Sequence, residues 1–137
     1  MKQIILNADD FGRHKCINDA VVNGVTQGCL RSASLMAVGP AFDEAVRICK
    51  QYPELGTGLH LTLIDGHPIL PADEIPSLVT NNGCFYADHN AFLKQFLCGR
   101  IRLDEVRREL AAQLQKLQAA GLQPDHIDSH QHMHVLP

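Results

Sequence analysis

Short apolar runs and helical apolar stripes alternate along the chain. Four runs predict strands, at residues 4–6, 34–38, 57–63 and 126–130. The first is a continuous apolar run that ends in two acids, which is typical of a buried parallel strand. In the third, leucines alternate with Gly58, His60 and Thr62, so one face of the strand is apolar and the other is polar.

The segments between these runs predict helices. Apolar residues recur at helical spacing over 15–28 and over 40–52, and a short helix is predicted near 90–98. Strands that alternate with helices in this way predict a parallel α/β sheet. In such sheets and in β/α barrels, functional groups gather at the carboxyl ends of the strands.

One longer helix is predicted from a cap at Asp104 to a stop at Gly121. Its expected inward face is the apolar stripe Val106, Leu110, Leu114 and Leu117. Between the third strand and these helices, residues 64–88 are rich in Pro, Gly, Asp and Asn. We interpret them as an irregular insertion that could cover a site.

Composition narrows the class of protein. A chain of 137 residues normally forms one domain, and 45% hydrophobic with 20% charged residues is typical of a soluble globular protein. The net charge of −3 gives no electrostatic reason to expect nucleic acid or an anionic membrane as a partner. The apolar runs are too short for a membrane span, and the chain does not begin like a secretory signal peptide. We therefore expect a cytoplasmic protein.

Candidate metal ligands accompany three of the predicted strands. Asp9 and Asp10 follow the first, His60 lies in the third, and the segment 126–134 contains four histidines and an aspartate. A carboxylate with two imidazoles leaves open positions on a divalent ion, as catalytic metal sites do. A second carboxylate could accept a proton from a metal-activated water, so the two adjacent acids could divide the roles of ligand and base.

The alternation of side chains favours such a site. Successive side chains on a strand point to opposite faces. One face of the fourth strand therefore carries His126, Asp128 and His130, and Ile127 points to the opposite face. In the third strand, His60 points away from its neighbouring leucines. Polar groups are predicted to converge on one side of the sheet, while leucines pack under helices on the other.

Each group also has an ordinary structural explanation. An Asp-Asp pair at a strand end is usually a turn or a helix cap. A single histidine in a strand is often a hydrogen-bonded core residue, and a histidine-rich tract can be a solvated surface. The metal hypothesis is favoured because all three segments coincide at one edge of the predicted sheet. His14, His67 and His89 lie in polar surroundings and are interpreted as surface or loop residues.

Three motifs resemble those of the YdjC-like family, which includes chitooligosaccharide deacetylases. They are NADDFG at residues 7–12, GLHLT at 58–62 and HIDSHQHMH at 126–134. The stretches SASLMAVGPAF at 32–42 and HLTLIDG at 60–66 are similar to the branch of the family linked with hopanoid biosynthesis. The resemblance extends over the whole chain.

The resemblance implies a parallel β/α barrel related to polysaccharide deacetylases, in which Asp10, His60 and His130 bind one divalent metal ion. Asp9 would be the general base for a metal-activated water that attacks the N-acetyl carbonyl of an amino sugar or glycolipid sugar and releases acetate. Two histidine ligands favour Zn²⁺, whereas the family often carries Mg²⁺. The family's general acid lies in a later segment, so His132 and His134 are the candidates here.

Members of the family run further than Pro137, so residues 1–137 are expected to be the N-terminal part of a single barrel domain. Four βα units are about half of an eight-stranded barrel. Half a barrel exposes two sheet edges and its interior face, which predicts a homo-oligomer in which another copy covers the open side. Two alternatives to a deacetylase stay open: another metal-dependent hydrolase, such as a phosphoesterase, and an inactive metal-binding fragment.

Overall fold

A parallel sheet forms the centre of the protein, whose computed structural model describes Lys2 and residues 4–135. Its strands pair in sequence order, and they are β1 (Asn7–Phe11), β2 (Ser32–Leu35), β3 (Gly56–Leu61) and β4 (Ile127–Ser129). The predicted parallel α/β fold is confirmed. Sequential parallel strands joined by helices are the arrangement of half a β/α barrel.

Helices connect the strands close to where the apolar stripes predict them. They are α1 (Lys15–Thr26), α2 (Phe42–Gln51), α3 (His89–Leu97) and α4 (Leu103–Ala119), and a 3₁₀ segment, His130–Val135, follows β4. Among the described residues, none of these helices has the combination of length and apolar character that crossing a membrane requires.

The predicted first strand lies too early in the sequence. Residues 4–6 precede β1, and Ile4 is 86% exposed. Pairing begins only at Asn7, which lies opposite Ser32 at the start of β2. An apolar run becomes a buried strand only where a neighbour covers it, and for residues 4–6 no such neighbour lies within the described part of the chain.

The start of α4 also differs from the prediction. Arg102 occupies the N-cap position without a side-chain cap bond, and Asp104 lies inside the first turn. The predicted cap at Asp104 is therefore wrong. The backbone N–H of Arg102 donates to Ser77 Oγ at 2.9 Å, so a contact with the insertion accompanies the beginning of the helix. Gly121 follows the last helical turn with φ of +83°, as expected for a glycine stop.

Two apolar cores support the sheet. The larger core is formed by residues of the strands and of α1, α2 and α4, with Phe11, Leu35, Leu59 and Leu117 at its centre. The second core includes Ile64 and Phe85 of the insertion and extends to Phe92 of α3. The insertion therefore has a packed interior of its own.

The inward face of α4 is largely polar, which contradicts the predicted apolar stripe. Its most buried residues are Glu105, Glu109, Gln113 and Leu117, and the leucines at 110 and 114 lie at the flank. The Glu109 carboxylate accepts the backbone N–H groups of Ile69 and Leu70, both at 3.0 Å. Because buried backbone groups need partners, the polar side chains of α4 are what allow the insertion to lie against it.

Candidate metal centre

An irregularity in β1 brings two adjacent carboxylates to the same side of the sheet. Asp10 has a positive φ of +59°, and the pairing register with β2 shifts between Ala8 and Phe11. Consecutive residues of a regular strand point to opposite faces. The bulge instead leaves Asp9 and Asp10 both near His60 and returns Phe11 to the core, where it is fully buried.

Asp10 is the centre of the polar cluster. Its Oδ1 lies 2.7 Å from His130 Nδ1 and 3.2 Å from His60 Nε2, and its Oδ2 lies 3.0 Å from the guanidinium of Arg13. The hydrogen bonds from His130 and His60 hold the pKa of Asp10 well below its ordinary value, against the effect of burial. Asp10 is therefore an ionised ligand candidate across the physiological pH range.

His60 lies almost fully buried between two carboxylates. Its Nδ1 is 2.7 Å from Asp128 Oδ1, and its Nε2 faces Asp10. Burial lowers the pKa of His60, but the hydrogen bonds and charges of Asp10 and Asp128 outweigh burial and raise it above the ordinary value. The pairing of β3 with β4, which sets His60 opposite Asp128, produces this contact.

The cluster fits a divalent cation. One donor atom each from Asp10, His60 and His130 lies within 4.8 Å of the other two. Two ligands of one ion lie about 3.0–3.4 Å apart when each bond is about 2.1 Å long, and the 3.2 Å contact of His60 Nε2 with Asp10 Oδ1 matches this spacing. Within the described residues, His130 Nε2 is buried without a hydrogen-bond partner, so this nitrogen is available to bind a metal ion. A second group, Asp9 with His60 and Asp128, meets the same distance limit.

The remaining candidate residues lie around this cluster. Asp9 is exposed, and Asn7 Nδ2 donates to its Oδ1 at 2.9 Å. His132 is also exposed and has a positive φ of +55°. The side chain of His134, the other general-acid candidate, lies outside the described part of the chain. His14 caps α1 and His67 lies 3.6 Å from Cys84, so neither belongs to the cluster.

Sequence reasoning missed two residues that contact the centre. Arg13 pairs with Asp10 and also with Asp65, at the beginning of the insertion. Ser34 is completely buried, and its hydroxyl donates to Asp128 Oδ2 at 2.7 Å. For Ser34 a signal was available, because Ser32 and Ser34 alternate with apolar residues and so continue the polar face of the sheet. Arg13 has no comparable pattern, since its position follows from the turn after β1.

The sheet is half of a β/α barrel, and its Asp-His-His cluster lies at the carboxyl ends of the strands, where β/α-barrel proteins carry their functional sites. The profile of the YdjC-like protein family matches residues 3–137. The chain belongs to the YdjC-like family.

Individual relatives agree with the family match. A carbohydrate deacetylase of Geobacillus stearothermophilus is 41% identical over 133 residues, which cover 97% of this chain and 51% of the relative. A chitooligosaccharide deacetylase of Proteus mirabilis is 39% identical, with 96% and 50% covered. A solved structure from Enterococcus faecalis V583, named for cellobiose-phosphate cleavage, is 34% identical with a TM-score of 0.85, and the match covers 95% of this chain and 49% of that protein.

The chain thus spans about half the length of these relatives. This share agrees with a four-stranded half of a barrel. Their names do not separate the branches of the family, so the similarity to the hopanoid-linked branch stays a prediction.

Proposed function

We propose that this chain carries the metal centre and the general base of a carbohydrate deacetylase, which hydrolyses the N-acetyl amide of an amino sugar or glycolipid sugar. The observation that carries the proposal is the cluster of Asp10, His60 and His130 with the carboxylate of Asp9 beside it. Relatives named as carbohydrate deacetylases support the substrate class. Residues 1–137 are then the N-terminal part of a single barrel domain.

Each residue of the cluster has a role in this proposal. Asp10, His60 and His130 hold one divalent ion, which when bound supplies Lewis acidity and lowers the pKa of a water. Asp9, exposed and not needed as a ligand, accepts the proton that the water loses on attack. Hydrolysis breaks the amide C–N bond and yields acetate and a free amine on the sugar. Arg13 orients Asp10 from the side opposite the histidines.

The ion is Zn²⁺ or Mg²⁺. Two imidazoles favour zinc, whereas Asp10 and open positions for water also suit magnesium. Similarity to the hopanoid-linked branch points to an amino sugar carried on a lipid as the substrate.

A phosphoesterase is the second candidate, and the grouping of Asp9, His60 and Asp128 favours it. Two-metal phosphoesterases need two adjacent sets of ligands. However, Asp128 Oδ1 already contacts His60 Nδ1 and its Oδ2 accepts from Ser34, which favours a single ion. Release of phosphate rather than acetate from matched sugar substrates would select this candidate.

The open sides of the sheet support assembly with a second copy. The outer edges of β1 and β4 have no strand partner in residues 4–135. Exposed apolar residues lie beside both edges, with Ile5 79% exposed near β1 and Ile127 60% exposed in β4. We expect sedimentation to detect a dimer that weakens in Ile127→Lys but not in Leu97→Lys, an apolar position on α3 that is even more exposed. A monomer at every concentration would contradict this expectation.

The function is tested first by metal content and then by acetate release. Purified chain should bind about one ion, as a mononuclear site does. His60→Ala and His130→Ala should each lose it, and His67→Ala, an exposed histidine of the insertion, should keep it.

The loaded chain, and a full-length relative assayed beside it, are then given an N-acetylated oligosaccharide. Metal binding without turnover in the chain alone would make it an inactive metal-binding fragment. Wild-type chain that takes up neither Zn²⁺ nor Mg²⁺ would overturn the proposal.

A further inference from the structure

Asp128 lies between His60 and a buried hydroxyl. Its Oδ1 is 2.7 Å from His60 Nδ1 and its Oδ2 is 2.7 Å from Ser34 Oγ. Asp128 belongs to β4, His60 to β3 and Ser34 to β2, so the contacts cross three adjacent strands. Both oxygens of the carboxylate are therefore occupied by groups of the protein.

The directions of these hydrogen bonds follow from counting protons. Ser34 Oγ lies 2.8 Å from Asn7 Nδ2 as well as 2.7 Å from Asp128 Oδ2. An amide nitrogen can only donate, and an ionised carboxylate can only accept. The hydroxyl therefore accepts from Asn7 and gives its one proton to Asp128. A neutral His60 has one N–H for two carboxylates, and its Nδ1 lies 2.7 Å from Asp128 Oδ1 whereas its Nε2 lies 3.2 Å from Asp10 Oδ1. The shorter contact assigns the proton to Nδ1, so Asp128 accepts it.

We propose that Asp128 and Ser34 are positioning residues, which hold His60 in the Nδ1–H tautomer and so present the lone pair of Nε2 to the metal site. The inference rests on the proposed function of the same site. Histidines that bind metals commonly donate their other N–H to a carboxylate, and this contact sets both the tautomer and the orientation of the ring. Ser34 acts one step further away, because it restrains the carboxylate.

The proposal also decides between two roles for Asp128. The distance grouping of Asp128 with Asp9 and His60 would allow Asp128 to be a ligand itself. As a positioning residue, Asp128 stays outside the coordination shell, and His60 binds through Nε2, the nitrogen that faces Asp10.

Matched variants are available for the test. Asp128→Ala removes the acceptor of His60 Nδ1–H, and Asp128→Asn keeps an amide oxygen that can accept it. Ser34→Ala removes the donor to Asp128. Its control is Ser32→Ala on the same strand, because the Ser32 hydroxyl donates to Asn7 Oδ1 at 2.5 Å and not to Asp128. Asp73→Asn, at an exposed acid of the insertion, controls for loss of charge.

The first readout needs no metal. Long-range ¹⁵N–¹H correlation spectra of the metal-free chain, at alkaline pH where the ring is neutral, report which nitrogen of His60 carries the proton. We expect Nδ1–H in wild type, Asp128→Asn and both control variants, and a mixture of tautomers in Asp128→Ala. Nε2–H in wild type, or Nδ1–H persisting in a folded Asp128→Ala, would overturn the proposal.

The second readout is Zn²⁺ affinity by competition with a chelator. We expect roughly a 10- to 100-fold loss in Asp128→Ala, the range typical for partners of ligating histidines. Asp128→Asn should recover part of it, Ser34→Ala should show a smaller loss, and Ser32→Ala should be unchanged. Asp128 would instead be a ligand if Asp128→Asn and Asp128→Ala lost Zn²⁺ affinity equally and X-ray absorption found one oxygen fewer around the zinc than in wild type. A wild-type chain that binds no zinc yet holds the Nδ1–H tautomer would refute the proposed function while leaving the positioning intact.

Discussion

A Cβ atom on Gly58 would lie 2.2 Å from Nε2 of His126, so the two residues touch across β3 and β4. They meet because Leu59 pairs with Ile127 on the adjacent rung of the sheet. The missing side chain of Gly58 makes room for the imidazole of His126, whose Nε2 lies 3.1 Å from Ser34 Oγ. Glycine is thus required here by close packing.

Replacing Gly58 tests this contact. Gly58→Ala should lower the free energy of unfolding by about 1–3 kcal/mol, because an extra methyl in a packed region forces its neighbours apart. Urea unfolding measures the loss. The double variant with His126→Ala should recover most of it, since the ring that clashes is gone. If the losses of unfolding free energy in the two single variants simply added in the double variant, Gly58→Ala would act through a contact other than the one with His126.

The two adjacent acids should separate binding from turnover. Asp10→Asn should lose most metal affinity, because it removes the anionic group that contacts both histidines. Asp9→Asn should keep the metal and lower turnover by roughly 10²–10⁴-fold, the usual contribution of a general base. Metal analysis and acetate release on the same preparations check both. If Asp9→Asn loses the metal and Asp10→Asn keeps it, the two roles are reversed.

Metal affinity should depend on pH through His60. Its raised pKa means that a proton competes for Nε2 up to a higher pH than for an ordinary histidine. The lowered pKa of Asp10 removes that residue from the competition at neutral pH. We therefore expect affinity to fall as pH falls through the pKa of His60, by about tenfold per pH unit for each proton displaced. Calorimetry in buffers of different ionisation enthalpy counts the protons released. If the metal affinity did not change between neutral and mildly acidic pH, this account would be contradicted.

The buried acceptor on α4 should hold the insertion in place. Glu109→Gln replaces one carboxylate oxygen by an N–H₂ group that faces a backbone donor at Ile69 or Leu70. A buried donor left without a partner costs about 1–3 kcal/mol. Hydrogen exchange at those two amides should become faster, while Glu54→Gln, at an exposed glutamate, changes neither stability nor exchange. Unchanged protection at Ile69 and Leu70 would mean that Glu109 does not hold the insertion.

The strands and the ligand candidates could be predicted because both depend on simple periodicities. His60 alternates with leucines, and His130 ends the predicted strand 126–130, so the strand-end rule places them together. The bulge at Asp10 could not be predicted, because a positive φ at a residue other than glycine leaves no mark in the hydrophobic pattern. For this reason the sequence alone left open which acid faces the histidines.

The inward face of α4 could not be predicted either. Apolar periodicity assumes that buried positions are apolar, which selects Leu110 and Leu114 over Glu109 and Gln113. The partners of Glu109 are backbone groups about forty positions earlier in the chain, in a segment without regular structure. No local pattern indicates that a loop will need buried acceptors.

The bulge at Asp10 also protects the folding of β1 against misalignment. In a regular strand of the same sequence, Asp10 would point with Ala8 toward the core and Phe11 would face the polar interior, an arrangement that is unfavourable at both positions. A slip of β1 by one position against β2 would turn its apolar residues to the polar face in the same way. The motif that gathers the two acids thus also acts as a register lock for the edge strand on which it lies.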